Sequence, residues 1–336
     1  MKEALKRIVR IFVTYSIRTI SLLFAVSVIS FVLVSASPID PVQQYLIGLG
    51  TAVSPQQRAE IEAYWGVNKP PIERYLGWLS EALHGNLGES ALYRRPVATI
   101  IGERFWNSLA LMFCAWLLSG VIGFGLGCVM GMYQDKWADK ILKKCCYILS
   151  SVPVFWLGLV LLLVFCVWLK WFPIGFSTPI GVRSEDVTFG QRMHHLILPA
   201  FTLSLMSFSN IALHTRQKLI DVLSSEYVLF ARARGEGKWT VLCRHGLRNI
   251  LFPALTLQFA SFAELFGGSV MAENVFSYPG LGSAVSAAGL NGDVPLLLGI
   301  TLFSALFVCV GNMIANLLYG VIDPQVRAFS AQNYRS

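Results

Sequence analysis

Residues with the types and spacings needed for catalysis, metal binding or nucleotide binding are sparse in this 336-residue sequence. Gly237-Lys238 is followed by Trp239 and lacks the upstream glycine of a phosphate-binding loop, so no nucleotide site is predicted. The adjacent Cys145 and Cys146 have neither the spacing nor the histidine companions of a zinc site. An intramembrane enzyme would need a catalytic pair, such as serine with lysine or two acids, within an apolar run, and none is visible. We therefore expect no catalytic residues, no metal site and no bound cofactor.

Glu264 is the main exception, because it is the one acid inside an otherwise uncharged run from Arg248 to Glu273. An ionisable group within a membrane span is costly and usually faces a cavity. Glu264 would either meet the cationic part of a solute or pair with a neighbouring polar side chain that holds helices together, and the sequence leaves both open. Three side chains of another run are candidates to line the same path, with helix-packing hydrogen bonds as the competing interpretation: Met206, Ser207 and Asn210.

His194 and His195 stand side by side at the start of that second run. Adjacent residues on a helix point in different directions, so we predict a polar pair at the membrane interface rather than two ligands of one metal ion. The seven cysteines lie in apolar runs or in the basic segment between two of them, so no disulfide framework is expected.

The elements that must position these residues follow from where charge is missing. In this chain 55% of residues are hydrophobic and 14% are charged, against roughly a quarter charged in an average soluble protein. Six runs reach the ~20 residues that a helix needs to cross a bilayer, and no period-two alternation suggests a barrel. The sequence predicts an all-α membrane protein with six transmembrane helices, at 19–36, 106–132, 145–168, 194–214, 251–272 and 294–322.

The distribution of lysine and arginine predicts the orientation, because short basic loops stay in the cytoplasm. The segments 1–18, 133–144, 215–250 and 323–336 hold five, four, seven and two of the 27 basic residues. The segments 37–105, 169–193 and 273–293 hold the other nine. We therefore predict that both termini are cytoplasmic. The net charge of +8 then reflects orientation in a lipid membrane and does not indicate nucleic-acid binding.

Two local patterns refine this outline. Gly123, Gly127 and Gly131 recur at four-residue steps in the second span, which predicts a ridge where another helix approaches closely. In the external segment 37–105, the stretches Ser54 to Trp65 and Ile72 to His84 are predicted to form short amphipathic helices.

The basic segment 215–250 is more patterned than a connector needs to be. It contains Glu226-Tyr-Val-Leu-Phe-Ala-Arg-Ala-Arg-Gly235, followed by Arg244-His-Gly-Leu-Arg-Asn-Ile-Leu-Phe-Pro253. Further runs stand in the same order as in one family: Arg74-Tyr-Leu-Gly-Trp-Leu, Glu273-Asn-Val-Phe-Ser-Tyr-Pro-Gly-Leu-Gly282 and Asp323-Pro-Gln-Val-Arg327. Together they resemble the permeases of bacterial ABC importers, in the dipeptide, oligopeptide and nickel branch. The general importer signature places Glu-Ala-Ala before the glycine; this chain has Leu229-Phe-Ala231 there, a departure that is usual within the branch.

This resemblance implies a fold, partners and a location. It implies the type I ABC-importer permease fold, with one transmembrane permease domain at about 100–325. The implied partners are a second homologous permease in a heterodimer, two cytoplasmic ATPase subunits that use ATP and Mg²⁺, and an external solute-binding protein. The implied place is the inner membrane of a bacterial cell, and the implied cargo is a peptide, nickel or a metal chelate. A secondary transporter or channel that works without ATPase subunits is the alternative.

The resemblance also implies site residues. The ATPase-coupling loop would comprise Glu226, Tyr227, Phe230, Ala231, Arg232, Ala233, Arg234 and Gly235. Tyr227 and Phe230 would be its apolar anchors, Arg232 and Arg234 its charged ones, and Gly235 the break that lets a short helix turn. An outer gate element would comprise Glu273, Pro279, Gly280 and Gly282. For Glu273, a solvated acid at a helix end is the competing interpretation.

Overall fold

The protein is described here by a computed structural model that covers residues 2–36, 42–43, 54–59, 69–183 and 186–322, with the side chains of 2–15, 263 and 316–322 left aside. Its helices are α1 (Lys2–Ser35), α2 (Pro71–Leu83), α3 (Val97–Met132), α4 (Trp137–Ser151), α5 (Val154–Leu162), α6 (Phe189–Leu223), α7 (Glu226–Ala233), α8 (Lys238–Val241), α9 (Leu247–Ala260), α10 (Phe262–Val275), α11 (Leu281–Leu290) and α12 (Val294–Ile322). A π-helical turn, Leu163–Trp168, continues α5, and another, Leu242–Gly246, joins α8 to α9. The predicted tail 323–336 and the second half, 60–65, of the predicted helix Ser54 to Trp65 lie outside the described residues, whereas 55–59 are helical.

Four of the described helices are long and apolar enough to cross a membrane: Ser16–Ser35 within α1, then α3, α6 and Val294–Ala315 within α12. The predicted third and fifth spans are bent pairs. Trp137–Ser151 and Val154–Trp168 meet at 106°, and Lys238–Ala260 and Glu264–Val275 meet at 58°. The first bend follows from Pro153, because a residue before proline is driven out of the helical region, and Val152 is extended (φ −89°, ψ 131°). The predicted range 145–168 is therefore divided between α4 and α5.

The described residues form two compact units. One unit contains residues of 1–106 and 280–310. Its core joins the start of α3 to α11 and the start of α12, through Val97, Ile100, Ile101, Leu281, Ala284, Ala288, Leu296 and Ile300. In the same unit, α2 contacts α1, where the Tyr75 and Ser27 hydroxyl oxygens lie 2.8 Å apart and the Tyr75 ring meets Phe31 edge to face. The predicted helix from Ile72 to His84 is thus confirmed as α2.

The other unit contains residues of 107–279 and 311–336, and α6 is its central helix. In the membrane-length part of α6, 72% of the residues are buried, against 28% in α3. The predicted glycine ridge is confirmed and its partner is α6. A Cβ added at Gly127 would lie 2.6 Å from Thr215 Cβ, and one added at Gly131 would lie 2.7 Å from Leu219 Cδ2. Only glycine permits the two helices to approach this closely.

Candidate functional site

The segment 226–249, here called the coupling platform, is built on a small apolar core. Val228 and Ala231 of α7 and Val241 of α8 are completely buried and pack with Val222 and Leu223 at the end of α6. Only Ser224 and Ser225 separate α6 from α7. The platform is therefore fixed to the C-terminal end of the central helix.

A glycine ends α7 in a defined way. Gly235 has φ +86°, and its N–H donates to the Arg232 carbonyl at 2.9 Å, while the Glu236 N–H donates to the Ala231 carbonyl at 3.2 Å. These two bonds form a Schellman motif, which satisfies the last carbonyls of a helix and needs a left-handed residue. The predicted turn at Gly235 is confirmed, and it directs the chain from α7 to α8.

Polar contacts tie α7 to the start of α9. The Asn249 amide donates to the Tyr227 hydroxyl at 3.0 Å. Glu236 lies 3.1 Å from His245 Nε2 and 3.2 Å from Arg234 Nη2. The platform is therefore a braced unit and not a loose loop. Val241, Glu236, His245 and Asn249, which brace it, were missed in the sequence, because their contacts form only when the chain turns back after Gly235.

The outer face of the platform is apolar and exposed. Phe230 is 71% exposed, Trp239 64%, Leu229 55% and Tyr227 46%. Glu226, Arg232, Ala233, Arg234 and Gly235 are exposed around them, whereas the predicted Ala231 is buried and belongs to the core. The predicted anchors Tyr227 and Phe230 are three residues apart on α7 and both exposed, and Arg232 and Arg234 are exposed near them in the chain.

A second exposed face, here called the pathway face, lies on α6 and α10. On α6 it carries Met206 and Asn210, one helical turn apart, and on α10 it carries Glu264, Gly267 and Met271. The two strips are neighbours, because a Cβ added at Gly268 would lie 2.8 Å from Met206 Sδ. The helices run antiparallel, since Gly268 of α10 packs on Leu203 and Met206, whereas Phe276, directly after α10, packs in one cluster with Leu198.

The structure brings three of the four predicted pathway residues to this face. Glu264, Asn210 and Met206 are exposed there, whereas Ser207 is only 5% exposed and points into the packing of α6. Ser207 therefore does not share the face. Glu264 stands in the first turn of α10, directly after the break at Ser261, whereas the nearly uncharged run predicts that it lies inside one continuous span.

The predicted outer gate residues fall in both units. In the α6 unit, Glu273 is buried and accepts a hydrogen bond of 2.6 Å from the Ser108 hydroxyl, so the interpretation as a solvated acid is wrong. The Pro279 carbonyl accepts from the Asn107 amide at 2.8 Å. Burial, followed by the charge of Glu273, raises the pKa of the Tyr278 hydroxyl well above its ordinary value. In the α11 unit, the Gly280 N–H donates to Ser283 Oγ at 3.1 Å, and Gly282 is buried.

The two adjacent histidines hold a connecting segment in place. His194 Nε2 lies 2.8 Å from the Trp171 carbonyl, and His195 Nδ1 lies 3.0 Å from the Gly175 carbonyl. The rings therefore serve two different backbone groups, as expected for side chains that point in different directions. The predicted polar pair is a clamp between the start of α6 and the segment before it.

Two buried acids had no signal in the sequence. Asp139 of α4 is fully buried and pairs with Arg216 of α6. Asp293, at the start of α12, is 1% exposed and accepts from the Ser90 hydroxyl at 2.5 Å and the Leu92 N–H at 3.0 Å. Each acid sits where a charge is expected in a loop, so only the three-dimensional contacts reveal its role.

Comparisons with known proteins agree with this architecture. The family described as "Binding-protein-dependent transport system inner membrane component" matches residues 123–328, which include the platform and the pathway face. The oligopeptide transport system permease protein AppB of Bacillus subtilis is 33% identical over 93% of this chain and 97% of its own. A putative peptide transport system permease protein of Brucella abortus is 31% identical over 92% and 96%. The glutathione transport system permease protein GsiC of Escherichia coli is 33% identical over 91% and 94%. The chain therefore belongs to this family and is an inner-membrane permease component of binding-protein-dependent ABC transport, an all-helical protein of the type I permease fold.

Proposed function

We propose that the chain forms half of the translocation pathway of an ATP-driven importer, paired with a second homologous permease. Two cytoplasmic ATPase subunits, which use ATP and Mg²⁺, dock on the coupling platform and its counterpart, and an external solute-binding protein delivers the cargo. The family description, with its dependence on a binding protein, supports this assembly. Closure of the ATPases then moves α6 and opens or closes the pathway face.

The exposed face of the platform is the observation that carries this proposal. Phe230, Leu229 and Trp239 are each more than half exposed, although they stand on a rigid core. Exposed apolar side chains rimmed by polar residues mark protein interaction sites, and aromatic residues and arginine are enriched in such sites. The positive rim, with Arg232 and Arg234, favours a partner surface that carries acidic groups.

Replacement of the central aromatic residue tests the docking. Phe230→Asp places a charge in the middle of the apolar face, and we expect it to abolish co-purification of the ATPase subunits and cargo uptake. Phe189→Asp is the matched control, because Phe189 is 78% exposed at the other end of α6. The control variant should retain both. The proposal fails if Phe230→Asp still co-purifies with a full complement of ATPase, or if the unmodified permease co-purifies with none.

The orientation is part of the proposal, with the platform and both termini in the cytoplasm. Cys243 offers a direct test, because it is exposed in the platform. In a variant that keeps Cys243 as its single cysteine, a membrane-impermeant maleimide should label inside-out vesicles and not intact cells from which the outer barrier has been removed. Labelling of the intact cells would reverse the orientation.

We propose a peptide as the cargo and the pathway face as its route. The relatives described above are named for peptides, oligopeptides or glutathione, which favours a peptide over nickel or a metal chelate. Lipid chains cannot form hydrogen bonds with a carboxylate or an amide. The face that exposes Glu264 and Asn210 would therefore contact water or another protein rather than lipid. Glu264 would then meet the ammonium group of a peptide, and Met206 and Met271 would give adaptable apolar contact to varied side chains.

A further inference from the structure

The cytoplasmic half of the α6 unit contains a buried ion pair with two-point geometry. Arg216 Nε donates to Asp139 Oδ1 at 2.6 Å, and Arg216 Nη2 donates to Asp139 Oδ2 at 2.7 Å. The Asp135 N–H donates to the second oxygen at 2.8 Å. The Asp139 side chain is fully buried and that of Arg216 is 12% exposed. Both carboxylate oxygens and the guanidinium plane are therefore fixed relative to α4 and α6.

The position of the pair along α6 is informative. On another side of α6, its neighbours Thr215 and Leu219 meet Gly127 and Gly131 of α3, and Leu219 also meets Gly246 before α9. Nearly two turns beyond Arg216, Val222 and Leu223 enter the core of the platform. In the other direction, the same helix carries Asn210 of the pathway face. The pair thus lies on a helix that joins the platform to the pathway face.

The physical chemistry of buried ion pairs favours a geometric role. Removing two charges from water offsets most of their attraction, so such a pair adds little net stability over apolar residues of similar volume. What it adds is direction, because a bidentate arginine–carboxylate contact permits one mutual orientation. An apolar cluster also joins α4 and α6 and includes Leu142, Cys146, Leu149, Leu205, Phe208 and Ala212, but apolar attraction is non-directional.

We infer that Asp139 and Arg216 are positioning residues for transport: they fix α4 to α6, so that displacement of the platform moves both helices together. The inference rests on the proposed coupling function. Without the pair, the ATPases still dock on the intact face of α7, but α6 turns or slides against α4, and the movement of the platform no longer reaches the pathway face in full. The predicted result is ATP hydrolysis that is poorly linked to uptake.

Two single variants and one double variant test this. Asp139→Asn keeps the shape and removes the charge, and Arg216→Lys keeps the charge and removes the two-point geometry. For both, we expect ATPase co-purification to persist and the cargo taken up per ATP hydrolysed to fall about ten-fold, the size of an ordinary coupling between sites. The double variant D139L/R216M replaces the pair by apolar side chains, and we expect it to recover thermal stability but not the uptake per ATP.

Asp221→Asn is the matched control, because Asp221 lies on the same helix, is exposed and accepts one hydrogen bond of 3.0 Å from Gln217. Its uptake per ATP should equal that of the unmodified protein. The inference is overturned if D139L/R216M restores uptake per ATP, or if Arg216→Lys leaves that ratio unchanged in a stable complex. Absence of ATPase from the unmodified complex would instead overturn the proposed function, so the two failures are distinguishable.

Discussion

The Ser108 hydroxyl donates a 2.6 Å hydrogen bond to the carboxylate of Glu273, and both side chains are buried. This bond joins α3 to the last turns of α10. The backbone of the same residue is also engaged, because the Glu273 carbonyl accepts from the Tyr278 N–H at 2.8 Å. Glu273 therefore fixes the chain as it leaves α10 and does so from both its side chain and its main chain.

Truncation of Glu273 should destabilise the protein. Glu273→Ala leaves the Ser108 hydroxyl without this acceptor and opens a cavity. We therefore expect the free energy of unfolding to fall by about 2 kcal/mol or more. Glu273→Gln retains an amide oxygen that accepts the same hydrogen bond, so its loss should be smaller. Thermal unfolding of the purified complex measures both. If glutamine lowers the unfolding temperature as much as alanine does, the contribution of Glu273 is that of a charge and not of a hydrogen-bond acceptor.

Asp293 should hold the segment near Ser90 in place. Its Oδ2 accepts from the Ser90 hydroxyl and the Leu92 N–H, and its Oδ1 accepts from the Leu296 N–H at 3.2 Å, as in a helix N-cap. In Asp293→Ala these donors lose their acceptor, and we expect faster tryptic cleavage after Arg94 in the folded protein. Loss of the helix cap alone should lower the free energy of unfolding by about 1–2 kcal/mol. Limited proteolysis followed by mass spectrometry measures the rate.

Asp186→Ala serves as the control for this cleavage, because Asp186 is an exposed acid in another of the segments predicted to be external. Its rate of cleavage after Arg94 should equal that of the unmodified protein. Equal rates in Asp293→Ala would show that the segment is held by its apolar core contacts and not by the acid.

Features that depend on local pattern could be predicted from the sequence, whereas pairings between distant charges could not. The glycine ridge could be predicted because small residues at four-residue steps allow two membrane helices to approach closely. The turn at Gly235 could be predicted because glycine readily adopts the left-handed backbone conformation that ends a helix. Asp139 and Arg216 are 77 positions apart, and each stands in a basic segment where a solvated charge is the ordinary expectation. Nothing in the one-dimensional pattern distinguishes a buried charge from an exposed one.

The break at Ser261 shows a second limit. Hydropathy shows that residues 251–272 are apolar enough to cross a membrane, but it does not show where the helix axis changes direction. The 58° bend places Glu264 at the start of a new helix, so its exposure follows from backbone geometry. The same limit applies within α6. Met206 and Ser207 are adjacent and were both predicted to line the pathway, but Met206 is exposed and Ser207 is buried.

Two glycines of α3 offer a matched pair for the close packing. A Cβ at Gly127 would lie 2.6 Å from Thr215 Cβ and 2.7 Å from the Ala212 carbonyl oxygen, whereas one at Gly125 would meet nothing within 4 Å. Gly127→Ala must therefore push α3 away from α6, and we expect the free energy of unfolding to fall by about 1–3 kcal/mol. Gly125→Ala should be neutral or gain up to about 1 kcal/mol from helix propensity. Equal unfolding temperatures for the two variants would contradict the close contact.

Glu264 gives the prediction that bears most directly on cargo. If its carboxylate meets the ammonium group of a peptide, Glu264→Gln should reduce uptake of peptides with a free amino terminus about ten-fold, which corresponds to ~1.4 kcal/mol of lost attraction. Uptake of the same peptides with an acetylated amino terminus should change much less. Met271→Leu is the control, because it lies on the same face and alters shape without charge. If Glu264→Gln leaves the ratio between free and acetylated peptides unchanged, the carboxylate does not recognise the amino terminus, and its exposure would serve contact with the second permease.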